Sequence, residues 1–276
     1  MSKNVILVPT NFSSRANIAY RQSINFAERT NGDVYLLHVI PQKAKQENLD
    51  LEIDAMHNQV LNLVDDCDAN LRRRIHTRIE YGPVNSTIVK VEKELKPDFM
   101  FIGSDAARND HNSSITLKLI DKISCPMVVF AGRFDKVGCE KIVLPVDLTK
   151  ETKQKVDLTQ KIARIYGSKV YVVSANSSSD EATLQQLNKR IADVKAIFDK
   201  LKIECETRIL KTEQGTESMA NAVNDFADDI EASAVVIMTR QETKLQKFFV
   251  GSMATELIKK ANVPIVCVSP KELNNK

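Results

Sequence analysis

The stretch VILVPTNFS, residues 5–13, returns later in the chain in altered form as IVLPVDLT, residues 142–149. Pro9 matches Pro145, which gives an offset of 145 − 9 = 136 residues between the two copies. Each copy is an apolar run of strand length followed by polar residues suited to the start of a helix. Self-similarity at so long a period predicts a duplicated domain.

Two further segments repeat in the same order. The offset of 136 also pairs VYLLH at residues 34–38 with VYVVS at residues 170–174. A slightly larger offset, 264 − 126 = 138, pairs CPMVV at residues 125–129 with VPIVC at residues 263–267. Order and spacing are therefore kept across nearly the whole chain.

Short apolar runs alternate with helical periodicity in each half, which is typical of βαβ units and of a parallel sheet buried on both faces. The sequence therefore predicts an α/β fold of two tandem, five-stranded parallel sheets, each sandwiched between helices. The predicted strands are Val5–Pro9, Val34–Ile40, Ile75–Tyr81, Phe99–Gly103 and Met127–Phe130, then Ile142–Val146, Val170–Ala175, Glu204–Leu210, Val235–Met238 and Ile265–Val268.

The longest helix of each copy is expected between the second and third strands. Apolar residues recur there at every third or fourth position, from Leu49 to Leu71 in the first copy and from Leu184 to Leu201 in the second. We interpret both stripes as core-facing surfaces of single helices.

The length of 276 residues fits two domains of ordinary size. We place the first at residues 1–131 and the second at residues 140–276. The linker between them, residues 131–140, is interrupted by Gly132 and Gly138.

Charge and cysteine usage exclude several classes of protein. Lys and Arg total 39 against 36 Asp and Glu, a net charge of +3 that is too small and too dispersed for a nucleic-acid groove. We interpret the cluster of Arg72, Arg73, Arg74 and Arg78 as a complement to a helix C-terminus. The five cysteines occur singly, without a CxxC pair, so we expect reduced and mostly buried thiols. The polar start of the chain predicts neither a secretory signal nor a membrane span, and hence a cytoplasmic protein.

Motifs of common enzyme classes are absent from the sequence. It has no GxxxxGK loop, no GxGxxG after a strand and no GxSxG elbow, and its four histidines lack metal-ligand spacing. We interpret His38, at a strand end, as a hydrogen-bonded structural residue.

Ligands of open parallel sheets bind beyond the carboxyl ends of the strands, where the strand order reverses. Asn11 and Asp147 follow the first strand of each copy, and helix N-capping or ligand binding accounts for them equally well. Gly251 and Ser252 precede the last helix of the second copy, where backbone amides and the helix dipole favour an anion such as phosphate.

The ILVPTNFS strand, the LLHV strand, the GS pair before the final helix and an apolar strand introduced by CP or VP together resemble the universal stress protein family. The resemblance covers residues 3–130 and 141–270. It implies the adenine nucleotide alpha hydrolase-like α/β sandwich, with five parallel strands in each domain, and a role in the stress response.

Members of that family that bind ATP use an Asp after the first strand, a backbone contact after the second strand, and a GxxG segment followed nine residues later by Gly-Ser or Gly-Thr. By resemblance, Asp147 corresponds to the carboxylate on the base and ribose side. The nucleotide-binding residues implied for the second half are Pro145, Val146, Asp147, Ala175, Met238, Thr239, Gly251 and Ser252. The GxxG segment itself is missing, because residues 236–241 read Val-Ile-Met-Thr-Arg-Gln.

The first half departs further from this pattern, since Asn11 replaces the Asp and Ser113 replaces the Gly. The weaker equivalents that the resemblance implies here are Thr10, Asn11, Val39, Gly103, Ser113 and Ser114. We therefore expect a degenerate first pocket that does not bind ATP.

Three functions stay open at this point. The first is a regulatory binding protein that senses ATP or a related adenine nucleotide through its second domain, with no metal required. The second is a nucleotide-free interaction protein that keeps the fold and the dimer surface. A slow ATPase ranks last, because no catalytic base or Mg²⁺ carboxylates are evident beyond Asp147.

The expected partners are an unidentified protein and the other half of the chain, with no nucleic acid and no membrane. In the family two domains commonly pair through the last strand of each sheet. Met127–Phe130 and Ile265–Val268 are apolar enough to pair in this way within one chain, which would hide two sheet edges. A further homodimer stays open.

Overall fold

The computed structural model describes residues 3–41, 49–64, 67–104, 115–131, 134, 136–147, 152–239 and 252–269. The first half contains β1 (Val5–Thr10), α1 (Ser14–Thr30), β2 (Asp33–Ile40), α2 (Leu49–Val64), α3 (Ala69–Arg72), β3 (Ile75–Tyr81), α4 (Val84–Leu95), β4 (Phe99–Gly103), α5 (Ile115–Ile120) and β5 (Met127–Phe130). The second half contains β6 (Lys141–Pro145), α6 (Thr152–Tyr166), β7 (Lys169–Asn176), α7 (Glu181–Lys200), β8 (Cys205–Lys211), α8 (Thr216–Asp229), β9 (Ala234–Met238), α9 (Ser252–Lys260) and β10 (Ile265–Val268). Every predicted strand is present, and each bound agrees to within one residue.

The strands form one sheet in the order β3-β2-β1-β4-β5-β10-β9-β6-β7-β8. Within each half all five strands are parallel, which confirms the predicted fold class. The two sheets are not separate, however, because β5 and β10 pair antiparallel, with Val266 opposite Val128. Two five-stranded units of the same topology are thus joined edge to edge.

Alternation along the strands divides the core into two layers, one on each face of the sheet. Ile6 and Val8 pack into a cluster with residues of α1, α2, α6 and α7, whereas Leu7 belongs to a second cluster with residues of α4, α5, α8 and α9. Both clusters contain residues of both halves. The molecule is therefore a three-layered α/β/α sandwich with a core shared across the joint.

The prediction of one long helix from Leu49 to Leu71 is wrong. Asp68 has extended backbone angles, and its Oδ1 accepts a hydrogen bond from the Leu71 amide at 2.8 Å. This carboxylate caps the separate short helix α3 and so separates it from α2. In the second half, α7 is continuous over Glu181–Lys200, as predicted.

One residue of the arginine cluster contacts the end of a different helix, α1. Arg74 Nη1 donates to the carbonyls of Ala27 (3.2 Å) and Gly32 (2.8 Å), which lie at the C-terminal end of α1. Arg78 pairs instead with Glu80 and Glu94.

The linker packs against the first half. The Gln22 side chain of α1 accepts a hydrogen bond from the Gly138 amide at 3.2 Å and donates to the Lys136 carbonyl. Phe134 and Cys139 are buried in the shared cluster. Contacts of this kind make the linker part of the joint between the halves.

The cysteines are free thiols, and four of the five are buried, as expected. Burial raises the pKa of the Cys139 thiol to about 12 and that of the Cys205 thiol to about 11. Both thiols therefore stay protonated and poorly nucleophilic near neutral pH. Within the described ranges, no helix combines the length and hydropathy needed to cross a membrane.

Candidate functional site

The strand order reverses at β6, whose neighbours are β7 on one side and β9 on the other. At such a point the connections leave the strands in opposite directions and open a crevice beyond their carboxyl ends. A pocket of about 260 Å³ lies there. Its lining residues are Pro145, Val146, Asp147, Lys155, Ala175, Thr216, Met219, Val223, Ile237, Met238, Met253, Ala254 and Leu257.

Five residues expected from the sequence meet in this pocket. They are Pro145, Val146, Asp147, Ala175 and Met238, which come from the ends of three adjacent strands. Their convergence follows from the parallel sheet, because strands that start on one side must all end on the other.

Asp147 is held in place by the chain just before it. The Val146 amide donates to the Val173 carbonyl at 2.8 Å, which extends the pairing of β6 with β7 by one residue, and the Val146 side chain is buried in the core. Asp147 follows directly and is half-buried. The described part of α6 starts at Thr152.

Lys155 was missed by the sequence analysis. Its side chain is only 7% exposed, and its Nζ donates to the Pro145 carbonyl at 2.8 Å, at the end of β6. A signal was present in the repeat, because the offset of 136 places Lys155 opposite Ala19, a fully buried residue of α1. A lysine within an otherwise buried helical stripe is rare, so the sequence alone indicates that this position is special.

Two helices close the other side of the pocket. Thr216, Met219 and Val223 come from α8, and the first turns of α9 contribute another group, namely Met253, Ala254 and Leu257. Three of the seven methionines of the chain therefore line this one pocket. Thioether side chains adapt easily to the shape of a flat apolar ligand.

Of the remaining predicted residues of the second half, Thr239 is the one whose side chain the structure describes. Thr239 is 1% exposed and turned towards β10, since both its amide (3.0 Å) and its hydroxyl (3.2 Å) donate to the Val268 carbonyl. Gly251 lies outside the described residues. Ser252 is described only as the first residue of α9.

In the first half, the residues equivalent to the pocket residues at the end of the first strand form hydrogen bonds with the neighbouring backbone. The Thr10 hydroxyl accepts from the Phe12 amide (2.9 Å), and the exposed Asn11 accepts from the Ser13 amide (3.1 Å). Ser13, not Asn11, is the N-cap of α1, because its hydroxyl accepts from the Ala16 amide. Of the two interpretations left open for Asn11, the one as the N-cap of α1 is therefore wrong.

An aromatic ring, that of Phe12, lies against the end of β2 in the first half. Phe12 has a left-handed φ of 58°, and its ring lies against His38, with 5.2 Å between ring centroids. His38 Nδ1 donates to the Thr10 carbonyl at 2.9 Å, so this histidine is structural, as interpreted. Val39 is 8% exposed.

Gly103 is covered by the first turn of α1. A Cβ on Gly103 would lie 2.5 Å from the Ala16 amide nitrogen and 2.6 Å from the Arg15 carbonyl oxygen. In the second half, the position that the offset of 136 matches to Gly103 carries Thr239. Ser113 and Ser114 lie outside the described residues.

No group of three or more His, Cys, Asp or Glu side chains suited to a metal ion occurs in the described part of the chain. The pocket instead combines apolar walls with one carboxylate, one ammonium and one hydroxyl, from Asp147, Lys155 and Thr216. This balance of many apolar and few polar groups is typical of a small-molecule site.

The sequence matches the model of the universal stress protein family twice, over residues 3–131 and over residues 138–269. A search of curated proteins gives no match.

Two solved structures share the architecture over nearly the full length, and a third matches 47% of this chain. A universal stress protein from Archaeoglobus fulgidus is 15% identical, with a TM-score of 0.72 over 98% of this chain and 97% of that chain. A functionally unknown protein from Pseudomonas aeruginosa is 13% identical, with a TM-score of 0.68 over 98% of this chain and 93% of that chain. A universal stress protein from A. fulgidus in complex with dAMP is 26% identical, with a TM-score of 0.40 over 47% of this chain and 97% of that chain. The two full-length likenesses establish the tandem fold.

Proposed function

The chain belongs to the universal stress protein family, and we propose that it is a regulatory protein of the stress response whose second half senses ATP or a related adenine nucleotide. The observation that carries this proposal is the pocket of about 260 Å³ beyond β6. It lies where doubly wound sheets bind their ligands.

The pocket walls suit an adenine ring with an attached sugar. Met219, Met238 and Met253 provide apolar, adaptable surface for a flat heterocycle. Asp147 provides a carboxylate that accepts hydrogen bonds from hydroxyl or amino groups, and Ala175 lies at the end of β7, where the backbone is within reach of a base edge.

Occupancy of the pocket would connect the end of β6 to α8 and α9, two helices that already contact each other where Asn224 donates to the Leu257 carbonyl at 3.4 Å. A ligand between β6, α8 and α9 contacts all three, so binding restrains them relative to one another. This restraint is the physical signal that a protein partner would recognise, because a ligand shifts an equilibrium only through its different affinity for two states.

The pocket offers little for catalysis. Asp147 is the one acidic side chain among the described lining residues. Enzymatic phosphoryl transfer relies on several positioned charges and on bound metal ions. We therefore rank a slow ATPase below a binding function.

A nucleotide-free interaction protein is the second candidate, and Thr239 favours it. Thr239 stands in the segment that reads GxxG in the ATP-binding pattern, and its amide and hydroxyl are both engaged by Val268. The local contacts of Thr10, Asn11 and Phe12 favour the same interpretation for the first half.

Thermal unfolding with and without ATP separates the two candidates. A ligand that binds only the folded state at about 100 times its Kd stabilises it by about 2.7 kcal/mol, which corresponds to an increase in Tm of roughly 5 °C for a chain of this size. We expect such an increase with millimolar ATP, ADP or AMP. No increase with any of the three would favour the interaction protein, and phosphate release from ATP above the protein-free rate would favour the enzyme.

Asp147→Asn tests the location of the site. This variant gives the second half the residue that the first half has at Asn11, and it removes a charged hydrogen-bond acceptor worth about 1.5–3 kcal/mol. We expect the ATP-dependent increase in Tm to fall to less than half. Asn11→Ala, at the exposed equivalent in the first half, serves as the control and should leave the increase intact. If the ATP-dependent increase in Tm is unchanged in Asp147→Asn, ATP binds at another site.

A further inference from the structure

Lys155 breaks the correspondence between the two halves at a buried position. The buried stripe of α1 includes Ala16, Ala19 and Tyr20, and the offset of 136 places Lys155 in the equivalent stripe of α6, opposite Ala19. Ala19 is fully buried and packs in the core, whereas Lys155 is 7% exposed and lines the pocket. One half thus has a methyl group where the other half has an ammonium.

Packing alone does not explain a lysine at this position. Buried lysines are rare, because the ammonium loses its hydration and its long side chain loses conformational freedom. Lysines that cover apolar surface normally extend their charge into water. Lys155 instead directs Nζ to the carbonyl of Pro145, another lining residue of the pocket, at 2.8 Å.

The charges of the lining residues define the class of ligand. Asp147 and Lys155 are the charged side chains among the described lining residues, and the others are neutral. A ligand that fills this pocket meets a carboxylate, which binds hydroxyl and amino groups, and an ammonium, which binds anions. A nucleoside satisfies the first group only, whereas a phosphorylated nucleoside satisfies both.

We infer that Lys155 is a specificity-determining residue that makes the pocket select a phosphorylated ligand over the corresponding uncharged nucleoside. The inference rests on the proposed function for the adenine part of the ligand, but the phosphate part stands on Lys155 itself. A cation on the pocket wall compensates for the missing GxxG segment, because it contacts phosphate without requiring a close backbone approach.

The test is a set of binding titrations by calorimetry with adenosine, AMP, ATP and tripolyphosphate. Wild-type protein is compared with Lys155→Met, which keeps an unbranched apolar chain but lacks the ammonium, and with Lys155→Ala, which introduces the residue of the first half. The control is Lys153→Met, which removes the same charge from an exposed position of the same helix. Thermal unfolding of each variant without ligand verifies that it is folded.

We expect wild-type protein and Lys153→Met to bind AMP and ATP at least about tenfold more tightly than adenosine. In Lys155→Met this preference should be lost through weaker binding of AMP and ATP, while adenosine binding stays within about twofold. Lys155→Ala should give the same pattern if Lys155→Met does not fold.

Each other outcome has a definite meaning. If the nucleotides bind and the preference survives in the folded Lys155 variants, the inference is wrong and Lys155 serves only to hold the end of β6. If no adenine compound binds but tripolyphosphate binds and is lost in Lys155→Met, the proposed function fails and the inference stands. If neither class of compound binds wild-type protein, both fail.

Discussion

Gly103, the last residue of β4, has no space for a side chain. A Cβ would lie 2.5 Å from backbone atoms of Arg15 and Ala16, and backbone atoms cannot turn aside as a flexible side chain can. The glycine therefore allows the first turn of α1 to lie directly on the end of β4. By resemblance to the family, Gly103 matches a residue of the nucleotide-binding loop. In this half, however, it allows helix α1 to pack closely.

Gly103→Ala should destabilise the protein by about 1–3 kcal/mol, the usual cost of forcing an extra group into a filled space. Urea unfolding monitored by circular dichroism measures it. The matched control is Thr239→Ala, since the position equivalent to Gly103 already carries a Cβ in the second half. This control should cost at most about 1 kcal/mol for the lost hydroxyl bond. Equal costs for the two variants would contradict the close contact.

At the scale of elements, each half fixes the helix before its fourth strand to the turn before its last strand. In the first half Glu92 of α4 is 1% exposed, and its Oε1 accepts from the amides of Ser124 (3.1 Å) and Cys125 (3.3 Å) and from the Ser124 hydroxyl. In the second half Asp228 of α8 accepts from the Asn262 side chain at 2.7 Å, at the exposed surface. The same connection is thus buried in one copy and hydrated in the other.

Glu92→Ala should therefore cost about 1–3 kcal/mol, because it leaves the amide of the buried Cys125 without this acceptor and also removes both bonds to Ser124. Asp228→Ala removes the equivalent connection from the surface, where water replaces the lost partner, and should cost less than about 1 kcal/mol. The free energies of unfolding of the two variants give the comparison. A cost for Glu92→Ala as small as that for Asp228→Ala would show that the buried carboxylate contributes little.

Strands were predictable from the sequence because their apolar runs are short, bounded and repeated at a fixed offset. The break between α2 and α3 was not, since the apolar stripe continues through it and only the Asp68 cap interrupts the backbone. For the site, strand ends located Asp147, Ala175 and Met238. Lys155 was missed because a residue on a helix reaches the crevice only through the length of its side chain.

Neither the second wall of the pocket nor the contacts of the first half could be derived from motifs. Thr216 and Met219 lie on α8, whose position over the crevice depends on the packing of both helix layers. The left-handed backbone of Phe12 and its contact with His38 are likewise three-dimensional properties. A duplicated sequence predicts two similar crevices, but the local backbone of each half determines the contacts made there.

In the whole molecule the two halves share one sheet and one core. The antiparallel pairing of β5 with β10 is flanked by contacts between helices and strands of opposite halves. The Arg29 guanidinium lies 4.8 Å from the centroid of the Tyr166 ring, and the Lys161 ammonium lies 5.1 Å from that of Phe99. One half cannot unfold without exposing the apolar surface that the other half covers.

The halves should consequently unfold together, in a single calorimetric transition whose van't Hoff and calorimetric enthalpies agree. Native-state hydrogen exchange should give β1 and β6 the same free energy of opening. Val128→Asp, which buries a carboxylate opposite Val266 in the joint, should lower the protection of both strands by several kcal/mol. The control is Val137→Asp in the linker, where the side chain is 57% exposed and a charge stays in water. Two separate transitions in the wild-type protein, or a loss of protection confined to β1 in Val128→Asp, would mean that the joint does not couple the halves.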